Sequence, residues 1–172
     1  MPHLRSFKVV VFFFLLAILD QTVLSAFRIG KVYPSFLYLF VCYAAIEWET
    51  KKTLPVAFWA GLLKDLFGGG PLGLEAAIMV IVAAGLDQIV RKIERGFPGI
   101  YFLLTFSFVL VCETLSWMLF ALMGGGTGAI LENFGDILGM AFYTALLLPV
   151  FDLFADFWFG SRSFSKQYEL FK

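Results

Sequence analysis

The side chains able to carry chemistry in this sequence are ionisable residues that interrupt long apolar stretches. They are Asp20, Lys64, Asp65, Glu75, Glu113, Asp152 and Asp156. A charge inside a bilayer is costly, so each is a candidate for function or for an ion pair between helices. Glu113 lies near the middle of its stretch, whereas Asp20 and Lys64 lie nearer to the ends of theirs. We therefore expect Lys64 to pair with either Asp20 or Glu113, in a structural or a functional role.

Asp152 and Asp156 are four residues apart, so both face the same side of a helix. The spacing suits a cation site, and it also suits two acids that face water or a basic side chain of a partner. The single histidine, His3, excludes a His-based metal site and, unless the terminus folds back, a Ser-His-Asp triad. We predict no catalytic residue, no metal and no cofactor.

The composition indicates an integral membrane protein. Of the 172 residues, 60% are hydrophobic and 15% are charged, against roughly 45–50% and 25% in soluble domains. The 22 phenylalanines would make a water-exposed surface prone to aggregation, but they suit contact with lipid. The net charge is zero and no basic patch stands out, so nucleic acid is not an expected partner. Cys42 and Cys112 lie in apolar stretches, so we expect them to be small buried apolar residues and not a disulfide or a redox site.

Six apolar segments are expected to cross the membrane as helices, which makes residues 1–172 one transmembrane domain. They lie at about 7–27, 33–48, 54–67, 72–90, 99–123 and 136–159. A full crossing takes about 20 residues, so the second and third segments require local thinning of the bilayer. The first segment could instead be a signal peptide cleaved after Ala26. Pro149 predicts a kink in the last segment.

The distribution of basic residues predicts that both termini are cytoplasmic. With six spans, ten of the 13 Lys and Arg residues fall on the cytoplasmic side. The other three, Arg28, Lys31 and Lys64, fall at the outer ends. This asymmetry follows the positive-inside rule.

A glycine-rich turn at residues 68–71 (GGGP) separates the third and fourth segments. It lacks the Lys-Ser/Thr ending of a phosphate-binding loop. We expect Pro71 and Glu75 in the first turn of the fourth helix, where the helix dipole favours an acid. We also expect Asp65 to accept hydrogen bonds from the N–H groups of the turn.

Small residues four apart predict close packing of helices. The pairs are Ala57 with Gly61, Gly135 with Gly139, and Ala141 with Ala145. For contact with a membrane segment of a partner, the candidate surfaces are Gly135 with Gly139, and the outer helix ends around Asp20 and Lys64.

Three parts of the sequence, taken in order, resemble the MreD family of the bacterial rod-shape system. They are Pro34, the run GLLKDLFGGGPLGL at 61–74, and LLLP at 146–149. The specific part is 61–74, which contains the motif residues Gly61, Asp65, Gly69, Gly70, Pro71, Leu72 and Gly73. Ser35 stands where the family usually has Asp, so a role for that acid is not transferred to this chain.

The resemblance implies a non-catalytic scaffold of the cell-elongation complex in the bacterial cytoplasmic (inner) membrane. The implied partner is MreC, a single-span protein. Through it the chain would help control peptidoglycan synthesis by a penicillin-binding protein and a SEDS glycosyltransferase, and hence cell shape. The implied fold resembles the substrate-binding subunits of energy-coupling-factor transporters. The alternative function is such a subunit for a micronutrient.

Overall fold

The computed structural model describes residues 2–22, 32–68, 71–92, 99–123 and 130–159. These ranges contain seven α-helices, which confirms the all-helical fold. The helices are α1 (Pro2–Thr22), α2 (Phe36–Glu47), α3 (Thr50–Gly68), α4 (Leu74–Val90), α5 (Ile100–Leu122), α6 (Ile130–Leu146) and α7 (Leu148–Phe159).

Helix α2 is the centre of the bundle. Its residues from Leu37 to Ile46 are all buried, and the helix contacts each of the other six helices. A helix that is apolar on every side can be surrounded by lipid or by protein, and the contacts of α2 show that it is surrounded by protein. The other helices therefore surround α2, and the bundle core follows its axis.

Helices α3 and α4 form the most closely packed pair, joined by the glycine-rich turn. A Cβ atom on Gly61 would lie only 2.3 Å from Cα of Ala76, so the two backbones touch at this point. Helix α4 begins at Leu74, after Gly73 with its positive φ of 93°. Pro71 therefore precedes the helix and is not in its first turn, contrary to the sequence expectation, because a left-handed residue cannot continue a right-handed helix.

The last apolar segment is broken into α6 and α7, which meet at Leu147 with a bend of 42°. Pro149 lacks the N–H that would bond to the carbonyl of Ala145, and its ring crowds that carbonyl, which accounts for the break. The expected kink is confirmed. Helix α6 begins at Ile130, six residues before the predicted start of the segment at 136.

Length and apolar composition alone identify fewer spans than the six predicted. Within the described ranges, α5 is long and apolar enough to cross a membrane, and the bent pair Asn133–Leu146 with Leu148–Ala155 makes a second candidate. Val11–Asp20 and Phe36–Glu47 are apolar but shorter. At 1.5 Å per residue, the 12 residues of α2 reach about 18 Å, so a full crossing has to include the extended residues before the helix. The six-span topology remains a prediction.

Large apolar side chains cover the outside of the bundle. They are exposed on all the helices around α2, and the exposed fraction reaches 73% at Leu153 and 87% at Phe157 of α7. Among the described side chains of α2, none of the large apolar ones is exposed. This distribution fits a bundle whose outer surface contacts lipid, where the hydrophobic effect no longer penalises such side chains.

Candidate functional site

A group of ionisable side chains joins four helices one to two turns from the α3–α4 turn. The Nζ atom of Lys64 in α3 lies 2.5 Å from Oε1 of Glu113 in α5 and 3.4 Å from Oε2 of Glu75 in α4. Tyr38 of α2 donates its hydroxyl hydrogen to Glu113 Oε1 at 2.7 Å, and Lys64 donates to the Tyr38 oxygen. We call Lys64, Glu113, Glu75 and Tyr38 the Lys64 cluster. Of the two pairs expected for Lys64, the structure forms the one with Glu113.

The Lys64 cluster is largely withdrawn from solvent. The side chains of Lys64 and Glu113 are each 18% exposed, that of Glu75 is 15% exposed, and Tyr38 is fully buried. The ammonium group lies 4.2 Å from the centre of the Tyr38 ring, which adds a cation–π attraction. Charges in such a place are tolerated because each has a partner. The cluster holds two carboxylates for one ammonium.

Asp65 caps the N-terminus of α4. Its carboxylate accepts hydrogen bonds from the N–H groups of Gly73 at 2.8 Å, Glu75 at 3.1 Å and Ala76 at 3.4 Å. The first N–H groups of a helix have no partner inside the helix, and an aspartate here accepts their hydrogen bonds. Its negative charge also interacts favourably with the helix dipole. The expectation that Asp65 accepts bonds from the turn is confirmed. The adjacent residues Lys64 and Asp65 of α3 therefore stabilise two other helices. Lys64 forms an ion pair with Glu113 of α5, and Asp65 binds the first N–H groups of α4.

Asp20 caps a different helix and does not form the expected alternative pair with Lys64. Its carboxylate accepts hydrogen bonds from the N–H of Phe36 at 2.7 Å and from the hydroxyl of Ser35 at 3.1 Å. The N–H of Ser35 in turn donates to the Thr144 hydroxyl at 3.3 Å. These bonds tie α1 and α6 to the N-terminus of α2. Asp20 therefore places a carboxylate beside Ser35.

Of the remaining motif residues, Pro71, Leu72 and Gly73 form the described part of the turn. Gly73 has the left-handed φ that favours glycine, and the carbonyl of Pro71 accepts a hydrogen bond from Leu74 at 3.3 Å. Leu72 is exposed. Gly69 and Gly70 lie outside the described residues, so their expected role stays a prediction.

The predicted partner surface on α6 is covered in one part and open in the other. A Cβ atom on Gly139 would lie 3.0 Å from the Val32 side chain, so Gly139 packs against this chain itself. Gly135 has nothing within 4 Å. The predicted close approach at Gly139 is therefore made within the molecule.

Asp152 is buried in α7, where it is 8% exposed. The side chain of Asp156 lies outside the described part of the chain. The cation site suggested by their spacing stays a prediction. Cys42 and Cys112 are free and buried, as expected, and the Cys42 sulfur lies 3.2 Å from the Thr105 hydroxyl oxygen.

A second polar network closes the opposite end of the α3–α4 pair. Thr50 donates to Asp87 at 2.6 Å, and Arg91 donates to both Asp87 and Thr50 at 2.9–3.1 Å. The i, i+4 spacing of Asp87 and Arg91 could have predicted their pair. No pattern in the sequence indicated Thr50 here, or Tyr38 in the Lys64 cluster.

Comparison with known protein families finds a family model that matches most of the chain. The family model described as rod shape-determining protein MreD matches residues 1–157. The match contains the motif at 61–74, the Lys64 cluster and nearly all of α7. Comparisons with curated proteins and with solved structures found no match.

Proposed function

The chain belongs to the MreD family of rod shape-determining membrane proteins, and from that premise we propose that it is a non-catalytic scaffold of the bacterial cell-elongation complex. The family role is rod shape determination. We propose that the chain performs it by binding an MreC-like single-span protein, and that this contact helps control peptidoglycan synthesis by a penicillin-binding protein and a SEDS glycosyltransferase.

We further propose that the chain crosses the cytoplasmic membrane six times with both termini inside. Helices α1 to α5 would each cross once, and α6 with α7 would form one bent span. The apolar side chains exposed on every helix around α2 support this arrangement. The surplus of basic residues at one end supports the orientation, in which the α3–α4 turn is outside.

The observation that carries the scaffold proposal is that the polar groups of the motif segment at 61–74 bind other helices of this chain. Asp65 binds three backbone N–H groups of α4, and its neighbour Lys64 pairs with Glu113 and Glu75. Gly61 lets α3 touch α4. A family motif built this way serves to fix the shape of the outer end, as a scaffold for another membrane segment requires. The family match lends no support to a transporter subunit.

Affinity purification from the native membrane in mild detergent tests this proposal. The tagged chain is expected to retain an MreC-like single-span protein, identified by mass spectrometry, whereas an unrelated multi-pass protein at equal expression does not. Recovery of the folded chain with no such protein, from cells that produce one, would contradict the proposal.

A further inference from the structure

An open cavity of about 340 Å³ lies beside the Lys64 cluster, between the α3–α4 turn and helices α5 and α6. This is the volume of roughly ten water molecules in the liquid. Glu75 and Glu113 line it on one side, and Asn133 and Asp136 of α6 line it on another. Its walls include the apolar surfaces of Trp117 and Phe120. The cavity therefore combines acidic groups with an aromatic wall.

The charges around this cavity do not balance. Lys64 is shared by Glu75 and Glu113, which leaves one negative charge in excess when both acids are ionised. No described side chain forms an ion pair or a hydrogen bond with the carboxylate of Asp136, which adds a second. Asp65 also lines the cavity, and its carboxylate is bound by backbone N–H groups and by no described cation. A carboxylate that is largely withdrawn from water, as Glu75 and Glu113 are, is costly without a full counter-charge, and a cation in the cavity would reduce that cost.

We propose that this cavity receives a lysine or arginine side chain from the outer end of a partner's membrane segment. The inference rests on the proposed function, since the partner is the single-span protein of the complex. The aliphatic part of such a side chain packs against Trp117 and Phe120, and its charged end reaches the carboxylates of Glu75 and Asp136. The indole ring adds a cation–π contact.

The position of the cavity suits this occupant. Glu113 lies nine residues before the end of α5 at Leu122, which is about 14 Å along the helix axis. A long basic side chain that enters from a neighbouring helix near the membrane surface spans part of this depth with its apolar stem. The contact fixes both the depth and the rotation of the partner helix, because the charged end of one side chain must contact a carboxylate on α4 and another on α6.

A photo-crosslinking phenylalanine analogue at Phe120 tests the location. On irradiation of the native membrane it is expected to crosslink the single-span partner, at a peptide that contains Lys or Arg near the outer end of its membrane segment. The control probe replaces Phe157, which is 87% exposed on α7 and away from the cavity. It is expected to give no crosslink to that peptide.

Charge variants test the chemistry. Asp136→Asn keeps the shape of the side chain and is expected to weaken binding to the purified partner at least tenfold in Kd. The control is Glu49→Gln, since Glu49 is a 74% exposed acid at the opposite end of α3, and its Kd should stay at the wild-type value. Asp136→Lys is expected to abolish binding, and replacing the partner's basic residue by Glu should restore it.

The outcomes separate this inference from the proposed function. If Asp136→Asn and Glu75→Gln bind the partner with the wild-type Kd, and the Phe120 probe crosslinks only lipid, the inference is wrong while the scaffold function stands. If the wild-type chain binds no single-span protein, the proposed function is wrong and the inference is wrong with it.

Discussion

Lys64 occupies the position on which the packing of four helices depends. Its ammonium group is shared between Glu113 and Glu75 and lies against the Tyr38 ring. Removing the ammonium leaves two carboxylates facing each other without compensation. The loss of one partner from a buried ion pair is far more costly than the loss of the whole pair.

Lys64→Met therefore tests the cluster most simply. We expect the free energy of unfolding to fall by about 3 kcal/mol, measured as a lower midpoint of thermal unfolding in detergent. The control is Lys52→Met, because Lys52 is 69% exposed and lies 3.7 Å from an exposed Glu49. Exposed pairs of this kind contribute less than about 1 kcal/mol.

The double variant Lys64→Met with Glu113→Gln separates charge from packing. Since it removes one carboxylate together with the ammonium, we expect it to be more stable than Lys64→Met alone. Equal destabilisation of the single and double variants would mean that the uncompensated charge of Glu113 does not cause the loss, which would contradict the ion pair as the interaction that holds the helices together.

Asp65 gives a second prediction at the residue scale. Asp65→Ala removes the acceptor for three N–H groups of α4 and is expected to cost about 1–2 kcal/mol in the free energy of unfolding. Asp65→Asn keeps one acceptor oxygen at the same place, so its loss should be smaller. A thermal unfolding series of both variants checks the order, and equal losses would contradict capping as the reason for this residue.

The sequence predicted part of this site. Burying a lysine in an apolar stretch demands an acid nearby, which pointed to either Asp20 or Glu113. An acid before a glycine-rich turn can accept hydrogen bonds from the N–H groups of the turn, which pointed to Asp65. The choice between Asp20 and Glu113 could not be made from the sequence, because it depends on how α1 packs against α2. Tyr38 was missed for a similar reason, since a tyrosine in an apolar helix gives no sign of where its hydroxyl points.

At the scale of the elements, the contact between α3 and α4 is the most sensitive. A Cβ atom on Gly61 would overlap backbone atoms of α4, which cannot move aside as a side chain can. We expect Gly61→Ala to separate the two helices and to lower the free energy of unfolding by about 3 kcal/mol. Misplacing Glu75 and Asp65 would add to this loss.

Gly85→Ala is the matched control, because Gly85 is exposed on α4 and has nothing within 4 Å. An alanine there stabilises the helix by roughly 0.5–1 kcal/mol. Thermal unfolding of the two variants in one detergent makes the comparison. A Gly61→Ala variant as stable as Gly85→Ala would mean that the close contact between α3 and α4 does not exist.

The elements themselves were predicted to different degrees. Pro149 marked the break between α6 and α7, because a proline inside a helix removes a hydrogen bond wherever it stands. The central place of α2 could not be predicted. In a membrane protein an apolar segment looks the same whether lipid or protein surrounds it, and only the packing of the other helices decides which.

At the scale of the whole molecule, the six-span topology is open to cysteine labelling. Cys42 and Cys112 are buried, and their replacement by alanine gives a background for single engineered cysteines. Membrane-impermeant reagents in intact cells are expected to label cysteines at positions 70 and 128, because these turns are predicted to be outside. Cysteines at positions 51 and 95 should react only after the cells are opened, and labelling of position 51 in intact cells would contradict the topology.

The proposed scaffold function requires this chain to bind a single-span partner through contacts within the membrane. The most direct measurement is the Kd of the purified chain in lipid nanodiscs for the MreC-like protein of the same complex, with and without the partner's membrane segment. We expect saturable binding to the full partner and at least a hundredfold increase in Kd when the membrane segment is removed. Equal binding of the partner's soluble domain alone, or no binding of the full partner to the folded chain, would contradict it.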